Sequence, residues 1–195
     1  MSKYVALEGG DGSGKSTVVE ALKRRLERDG QSVLVVREPG GTVLGETVRG
    51  LLLDSESLDK WAEVFLFAAQ RAELVNTVVK PALEEGRWVI SDRTYYSSIA
   101  YQGRGRGLGA QRIRELNELG LDGVVPDHVF VLDIDPQAAL ARQERPDRIG
   151  REGVKFQTEV RLAYQELEGS DPVVVILDGT SPVETIVNQI MKVVS

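Results

Sequence analysis

The sequence has no cysteine and a single histidine in 195 residues. The missing cysteines exclude disulfides and thiolate zinc sites, and they suit a reducing compartment. An excess of positive charge is also lacking. Lysine and arginine number 24 against 30 acidic residues, and the net charge of −6 argues against a general nucleic-acid or membrane-surface binder. No apolar run approaches the length that spans a bilayer. Met1-Ser2-Lys3 leads straight into an apolar segment, so no signal peptide is expected and the expected location is cytoplasmic. What remains is the composition of an ordinary globular protein, 42% hydrophobic and 28% charged, of a length that suits one domain.

The most informative segment is Gly9-Gly10-Asp11-Gly12-Ser13-Gly14-Lys15-Ser16, a G-x-x-x-x-G-K-S loop followed by Thr17. It stands between the apolar run Tyr4 to Leu7 and a helical pattern, the context in which this motif cradles phosphates. Backbone N–H groups and the start of the following helix point at the anion. Lys15 is expected at the β- and γ-phosphates, and the Ser16 hydroxyl at Mg²⁺.

The remaining pattern alternates strands and helices. Tyr4–Leu7, Ser32–Val36, Trp88–Ser91, Val129–Asp133 and Val173–Leu177 read as buried strands. Lys15–Asp29 reads as an amphipathic helix stopped by Gly30, Trp61–Val79 as a long helix ended or redirected by Pro81, and Pro182–Val194 as a closing helix. Buried strands joined by helical crossovers imply a parallel sheet covered on both faces. Gln143–Gly153, polar and rich in arginine and glycine, reads as a mobile loop.

A phosphate loop does not separate a switch GTPase, a motor ATPase and a small-molecule kinase. The N-K-x-D motif of a guanine-reading switch is absent from the sequence. Asp92, at the end of a strand, is placed to hold Mg²⁺, and Arg93 offers a planar fork for a second phosphate. His128, just before a strand, reads as structural.

The series Asp11 to Ser16, then Arg37-Glu38-Pro39-Gly40-Gly41-Thr42, then Asp92-Arg93, then Ser97-Ser98-Ile99-Ala100-Tyr101-Gln102-Gly103, then Asp147-Arg148-Ile149 resembles the bacterial thymidylate kinases in order and spacing. The resemblance covers essentially the whole chain. It implies an α/β fold of the P-loop NTPase type, a three-layer sandwich around a five-stranded parallel sheet in the order 2-3-1-4-5. It implies one nucleoside-monophosphate kinase domain over residues 1–195 with a lid at about 143–153, and a homodimer. The implied reaction moves a phosphoryl group from MgATP to dTMP, giving dTDP and ADP.

Site residues follow from the same resemblance. Gly9 to Thr17 and Arg142 are implied for ATP, with Arg142 expected to stack on adenine, and Ser16 and Asp92 for the metal. Asp11, Glu38 and Pro39 are implied near the acceptor, Arg49 and Arg93 as a clamp on its phosphate, and Phe67 as a stacking partner for thymine. Arg71 is implied at the thymine carbonyl side, Ser98 and Gln102 at the base edge, and Tyr101 against the sugar 2′ position. Arg37 is open between a structural and an acceptor-side role. The loop itself holds no basic residue between Gly9 and Gly14, so charge on the transferring group is expected from lid arginines drawn from Arg142, Arg145, Arg148 and Arg151. Arg148 and Arg145 are taken as catalytic with Lys15, Arg93 and Asp92. Two positions depart from the family pattern. Thr94 stands where an aromatic or histidine is usual, and Ser98 where asparagine or threonine is common.

Overall fold

The computed structural model describes residues 3–142 and 147–194. Five strands form one parallel sheet in the order β2-β3-β1-β4-β5: β1 Tyr4–Gly9, β2 Val33–Arg37, β3 Trp88–Asp92, β4 His128–Asp133 and β5 Val174–Asp178. The register pairs Leu7 with Asp92 and with Phe130, and Arg37 with Asp92, so polar ends of neighbouring strands align along one edge. A continuous apolar run from Tyr4 to Leu7 lets β1 be buried on both faces. Val5 and Leu7 enter a cluster with Leu22, Leu26 and Ile190, while Ala6 enters another with Val131, Val160 and Tyr164.

α1 (Lys15–Arg28) places Val18, Leu22 and Leu26 on one face, against the sheet. Burying a leucine of this kind contributes about 1.5–3 kcal/mol. The helix ends in a Schellman turn: Gly30, at φ 79°, donates to Glu27 and Gln31 donates to Leu26. After β2 come α2 (Val43–Asp54) and α3 (Lys60–Leu74), each with a side-chain N-cap, Thr42 and Asp59.

The expected long helix ending near Val79 continues instead. A π-helical turn, Val75–Val79, leads into α4 (Lys80–Glu84), which holds Pro81 in its first turn. The π turn displaces the i→i−4 pattern where Pro81 has no N–H to give, so the ring is accommodated without ending the helix. α5 (Tyr95–Ser98) runs into a second π-helical segment, Ile99–Gly105. α6 (Ala110–Leu121), α7 (Pro136–Ala141), a 3₁₀ turn over Gly150–Glu152, α8 (Gly153–Ser170) and α9 (Val183–Val194) complete the layers. Among the described residues no helix is long and apolar enough to cross a membrane.

Candidate active site

The crevice lies at the carboxyl ends of β1 and β3, the usual position for ligands on an open parallel sheet. The phosphate loop passes from β1 to α1 through Gly12 at φ 82° and Gly14 at φ 90°. A Cβ on Gly12 would sit 2.2 Å from the Ala139 carbonyl oxygen, so α7 presses directly on the loop. Gly14 caps α1 without a side-chain bond, which leaves the first N–H groups of the helix directed at the loop's interior. Lys15 folds over this loop and donates to the carbonyls of Gly9 at 3.2 Å and Gly10 at 3.0 Å. Burial, and next the charge of Arg93, pull the Lys15 ammonium down to about 8.

Ser16 Oγ donates to Asp92 Oδ2 at 2.9 Å. A hydroxyl and a carboxylate side by side at a phosphate loop are hard oxygen donors, and Mg²⁺ commonly takes one or two protein oxygens alongside phosphates and water. This pair fits that ion.

Arg93 follows at the strand end with φ 75°, an uncommon conformation for a residue with a side chain. Its guanidinium donates to the Gly9 carbonyl and to Ser97 Oγ, both at 3.0 Å, and forms an ion pair with Asp11. It also lies over the Tyr101 ring, 5.2 Å from the centroid. The phosphate loop and the neighbouring cleft are thus joined through one arginine.

That cleft has a volume of about 130 Å³. Asp11, Arg93 and Tyr101 form the wall nearest the loop, Glu38, Pro39, Arg49 and Leu53 a second, and Phe67, Ser98 and Gln102 a third. Ser97, Asp147 and Ile149 complete it. Arg49 is half-buried and donates to the Pro39 carbonyl at 2.8 Å, while burial and the nearby Arg37 lower its affinity for a proton. The Glu38–Pro39 peptide is cis. Gln70, fully buried, ties this turn to α3 by donating to Glu38 at 3.1 Å and accepting from the Gly40 N–H.

The family model for thymidylate kinase matches residues 7–190.

The chain belongs to the thymidylate kinase family.

It is 42% identical over 193 residues to a thymidylate kinase of Thermosipho melanesiensis, covering 98% of this chain and 96% of that protein. It is 44% identical over 192 residues to that of Fervidobacterium nodosum, covering 97% of each. The crystal structure of thymidylate kinase from Ehrlichia chaffeensis superposes with a TM-score of 0.84 at 32% identity, covering 100% of this chain and 99% of that one. The expected P-loop NTPase-type fold and the sheet order 2-3-1-4-5 are those observed.

Of the residues that the thymidylate kinase resemblance implies for the acceptor, all but Arg71 line the one cleft. Arg71 departs from the expectation. It is 2% exposed, and its guanidinium is consumed by Glu38 at 2.5 Å, Ser98 Oγ at 3.1 Å, the Thr94 carbonyl and Asn117. It braces the cleft from behind, because a carboxylate buried as deeply as Glu38 needs a charged partner.

Arg148 departs as well. Instead of standing over the phosphate loop it is 8% exposed, donates to the Leu52 carbonyl at 2.9 Å and pairs with Glu63 at 2.7 Å. In this conformation its guanidinium is held by Glu63, which it shares with Arg106. Glu63 also takes Gln102 at 2.8 Å and Arg106 at 3.2 Å. Against the raising effect of burial, these bonds hold its carboxyl below the usual range. Arg142 is exposed and reaches the Gly12 carbonyl at 3.4 Å, and Arg151 is exposed on the 3₁₀ turn. Arg145, with residues 143, 144 and 146 of the expected lid, lies outside the described residues. Arg37, exposed, is bound through both Glu46 oxygens at 2.8 Å, which favours its structural role.

Sequence reasoning assigned no role to Ser97, Leu53, Asp147 or Ile149. Leu53 lies four residues after Arg49 on α2, and Ser97 four after Arg93, so each had a spacing signal. The buried polar supports Glu8, Glu63, Gln70 and Asn117 were missed for another reason: their partners come from distant elements.

Proposed function

We propose that this chain phosphorylates dTMP with ATP, giving dTDP and ADP, as the family name and the chemistry of the cleft together suggest. The observation that carries the reading is Arg93. It touches the phosphate loop at Gly9 and Asp11 and also walls the adjoining cleft, so a donor phosphate and an acceptor phosphate would meet at one guanidinium. Two substrates held end to end is what in-line phosphoryl transfer requires, and positioning supplies most of its rate.

The roles follow from the chemistry of each group. Gly9 to Thr17 hold the ATP phosphates, with Lys15 on the outer ones. Ser16 and Asp92 would hold Mg²⁺, which would supply charge neutralisation to the ATP phosphates. Arg49 and Arg93 grip the acceptor phosphate as planar forks. Phe67 stacks on the base beside Pro39. Gln102 gives its amide N–H to Glu63, which turns its carbonyl into the acceptor available at the base edge. Thymine N3 carries a hydrogen to donate there and cytosine N3 does not. Tyr101, buried between Arg93 and an edge-on Phe156, crowds the sugar. Asp11 and the Glu38–Pro39 turn shape the floor. Arg142 and Arg145 are candidates to close over ATP from the lid.

Exposed apolar side chains support a homodimer. Leu44 and Leu51 on α2, seven residues apart and so on one face, and Phe65 on the packed neighbour α3 are 45%, 50% and 58% exposed. The absence of a basic excess fits a cytoplasmic enzyme of small molecules, without nucleic-acid or membrane partners.

The test is ADP formation with MgATP against dTMP, dUMP, dCMP, dGMP and thymidine, with an acceptor-free control. Turnover is expected with dTMP, weaker turnover with dUMP, and little with dCMP. A missing methyl is worth only about 1–3 kcal/mol, whereas a reversed hydrogen-bonding edge leaves buried groups unpaired. A preference for any other acceptor would overturn the base-reading roles of Phe67, Ser98 and Gln102.

A further inference from the structure

Glu8 is fully buried on β1, just before the phosphate loop, in a run whose neighbours Ala6 and Leu7 are apolar. Strand alternation sets it on the same face as Ala6, toward Tyr164 of α8. Four donors converge on its carboxylate. Oε1 accepts from the Thr94 N–H at 2.7 Å and the Thr94 hydroxyl at 2.8 Å, and Oε2 from Ser97 Oγ at 2.5 Å and the Tyr164 hydroxyl at 2.8 Å. They fill the lone-pair directions of both oxygens. Burial, and next Glu8 itself, push the Tyr164 hydroxyl up, so it remains a proton donor.

A carboxylate this deep is costly, and an apolar residue would serve the strand as well. The position of its donors indicates what it does. Thr94 and Ser97 belong to the turn that begins with Arg93, and Arg93 holds φ 75°. Strained backbone of this kind persists only where the surroundings over-determine it. Glu8 grips the turn at the residue after Arg93. It also grips Ser97, whose Oγ receives the Arg93 guanidinium at 3.0 Å. The Thr94 hydroxyl doubles the bond to Oε1.

We infer that Glu8 is a positioning residue for the acceptor phosphate: through Thr94 and Ser97 it fixes both the backbone turn and the guanidinium of Arg93. This rests on the reading of Arg93 as an acceptor clamp. Glu8 itself touches neither substrate.

The test varies dTMP and ATP in turn for the native enzyme, Glu8→Gln, Ser97→Ala, Arg93→Ala and the Glu8→Gln/Arg93→Ala double variant. Glutamine keeps the size but turns an N–H₂ toward donors. The expected result for Glu8→Gln is a rise of about tenfold in KM for dTMP, with KM for ATP within about twofold of native. Ser97→Ala moves the same constant in the same direction. The double variant is no worse for dTMP than Arg93→Ala alone, because Glu8 acts through Arg93. Loss of stability with both KM values unchanged, or an equal rise in both, overturns the inference. If Arg93→Ala raises KM for dTMP and Glu8→Gln does not, the Glu8 role alone falls. If Arg93→Ala leaves it unchanged, the clamp falls and Glu8 with it. Should Glu8→Gln fail to fold, Thr94→Val, which removes a donor to Glu8 outside the cleft wall, decides the matter by the same two constants.

Discussion

Lys15 sits buried at the head of α1, its ammonium against carbonyl oxygens of its own loop. Its affinity for a proton falls from 10.5 in the unfolded chain to about 8 in the fold. The folded state therefore binds fewer protons than the unfolded state between those values, and stability rises with pH across that window. Below about pH 8 the full cost of burying the charge is present. Lys15→Met should then stabilise the protein at pH 7 by roughly 1–3 kcal/mol in urea unfolding, with the gain shrinking toward pH 10. The same change should lower turnover by about 100-fold or more. A variant no more stable at pH 7 than at pH 10 would contradict the linkage. Arg71 behaves oppositely. Arg71→Leu strands Glu38 and Asn117 without their partner, and a loss of about 3–5 kcal/mol is expected in denaturant unfolding. A loss below about 1 kcal/mol would mean that Glu38 finds another way to be satisfied.

Among the elements, the phosphate loop borders the cleft through Asp11, and the segment from Arg93 to Gln102 supplies five of its lining residues. Gly12 and Gly14 both have positive φ, but only Gly12 meets α7. Gly14→Ala should cost about 1–2 kcal/mol from backbone strain alone. Gly12→Ala should cost more and raise KM for ATP, because α7 or the loop must shift. Thermal melting and ATP kinetics on the two variants separate strain from clash, and equal losses would deny the contact with Ala139. Ser98 and Gln102 were expected one helical turn apart on an α-helix. They lie at and inside the π segment Ile99–Gly105, yet both reach the cleft. A π turn leaves little trace in a single sequence, since the same residues suit α-helix locally and packing against α6 and α8 selects the wider turn. Pro81 opens a new helical turn, one of the two outcomes expected of it, and the π turn before it accommodates the missing N–H.

At the scale of the molecule, the proposed dimer makes its own prediction. Phe65→Glu or Leu51→Glu would put charge into an apolar face, and sedimentation should report a monomer for each variant where the native chain is dimeric. A native chain that sediments as a monomer at micromolar concentration would remove the dimer from the proposal.

Local sequence signals were enough for the layered α/β fold, the glycine-rich loop from Gly9 to Ser16 and the charged strand end Asp92-Arg93, whereas the strand order came only through the family resemblance. The local signals are carried by glycine at special backbone angles, by apolar runs of strand length and by charged residues at strand ends. What each buried charge pairs with is visible only in the packed structure. Arg71 and Arg148 carry the same guanidinium as Arg93, and no local pattern separates a brace behind the cleft from a group that lines it. What separates them is which carboxylate arrives from elsewhere in the chain: Glu38 for Arg71, Glu63 for Arg148, and the phosphate loop's own Asp11 for Arg93. Burial makes such pairings decisive, because an ion removed from water needs a counterion or a full set of hydrogen bonds, and those neighbours are set by the packing of whole elements.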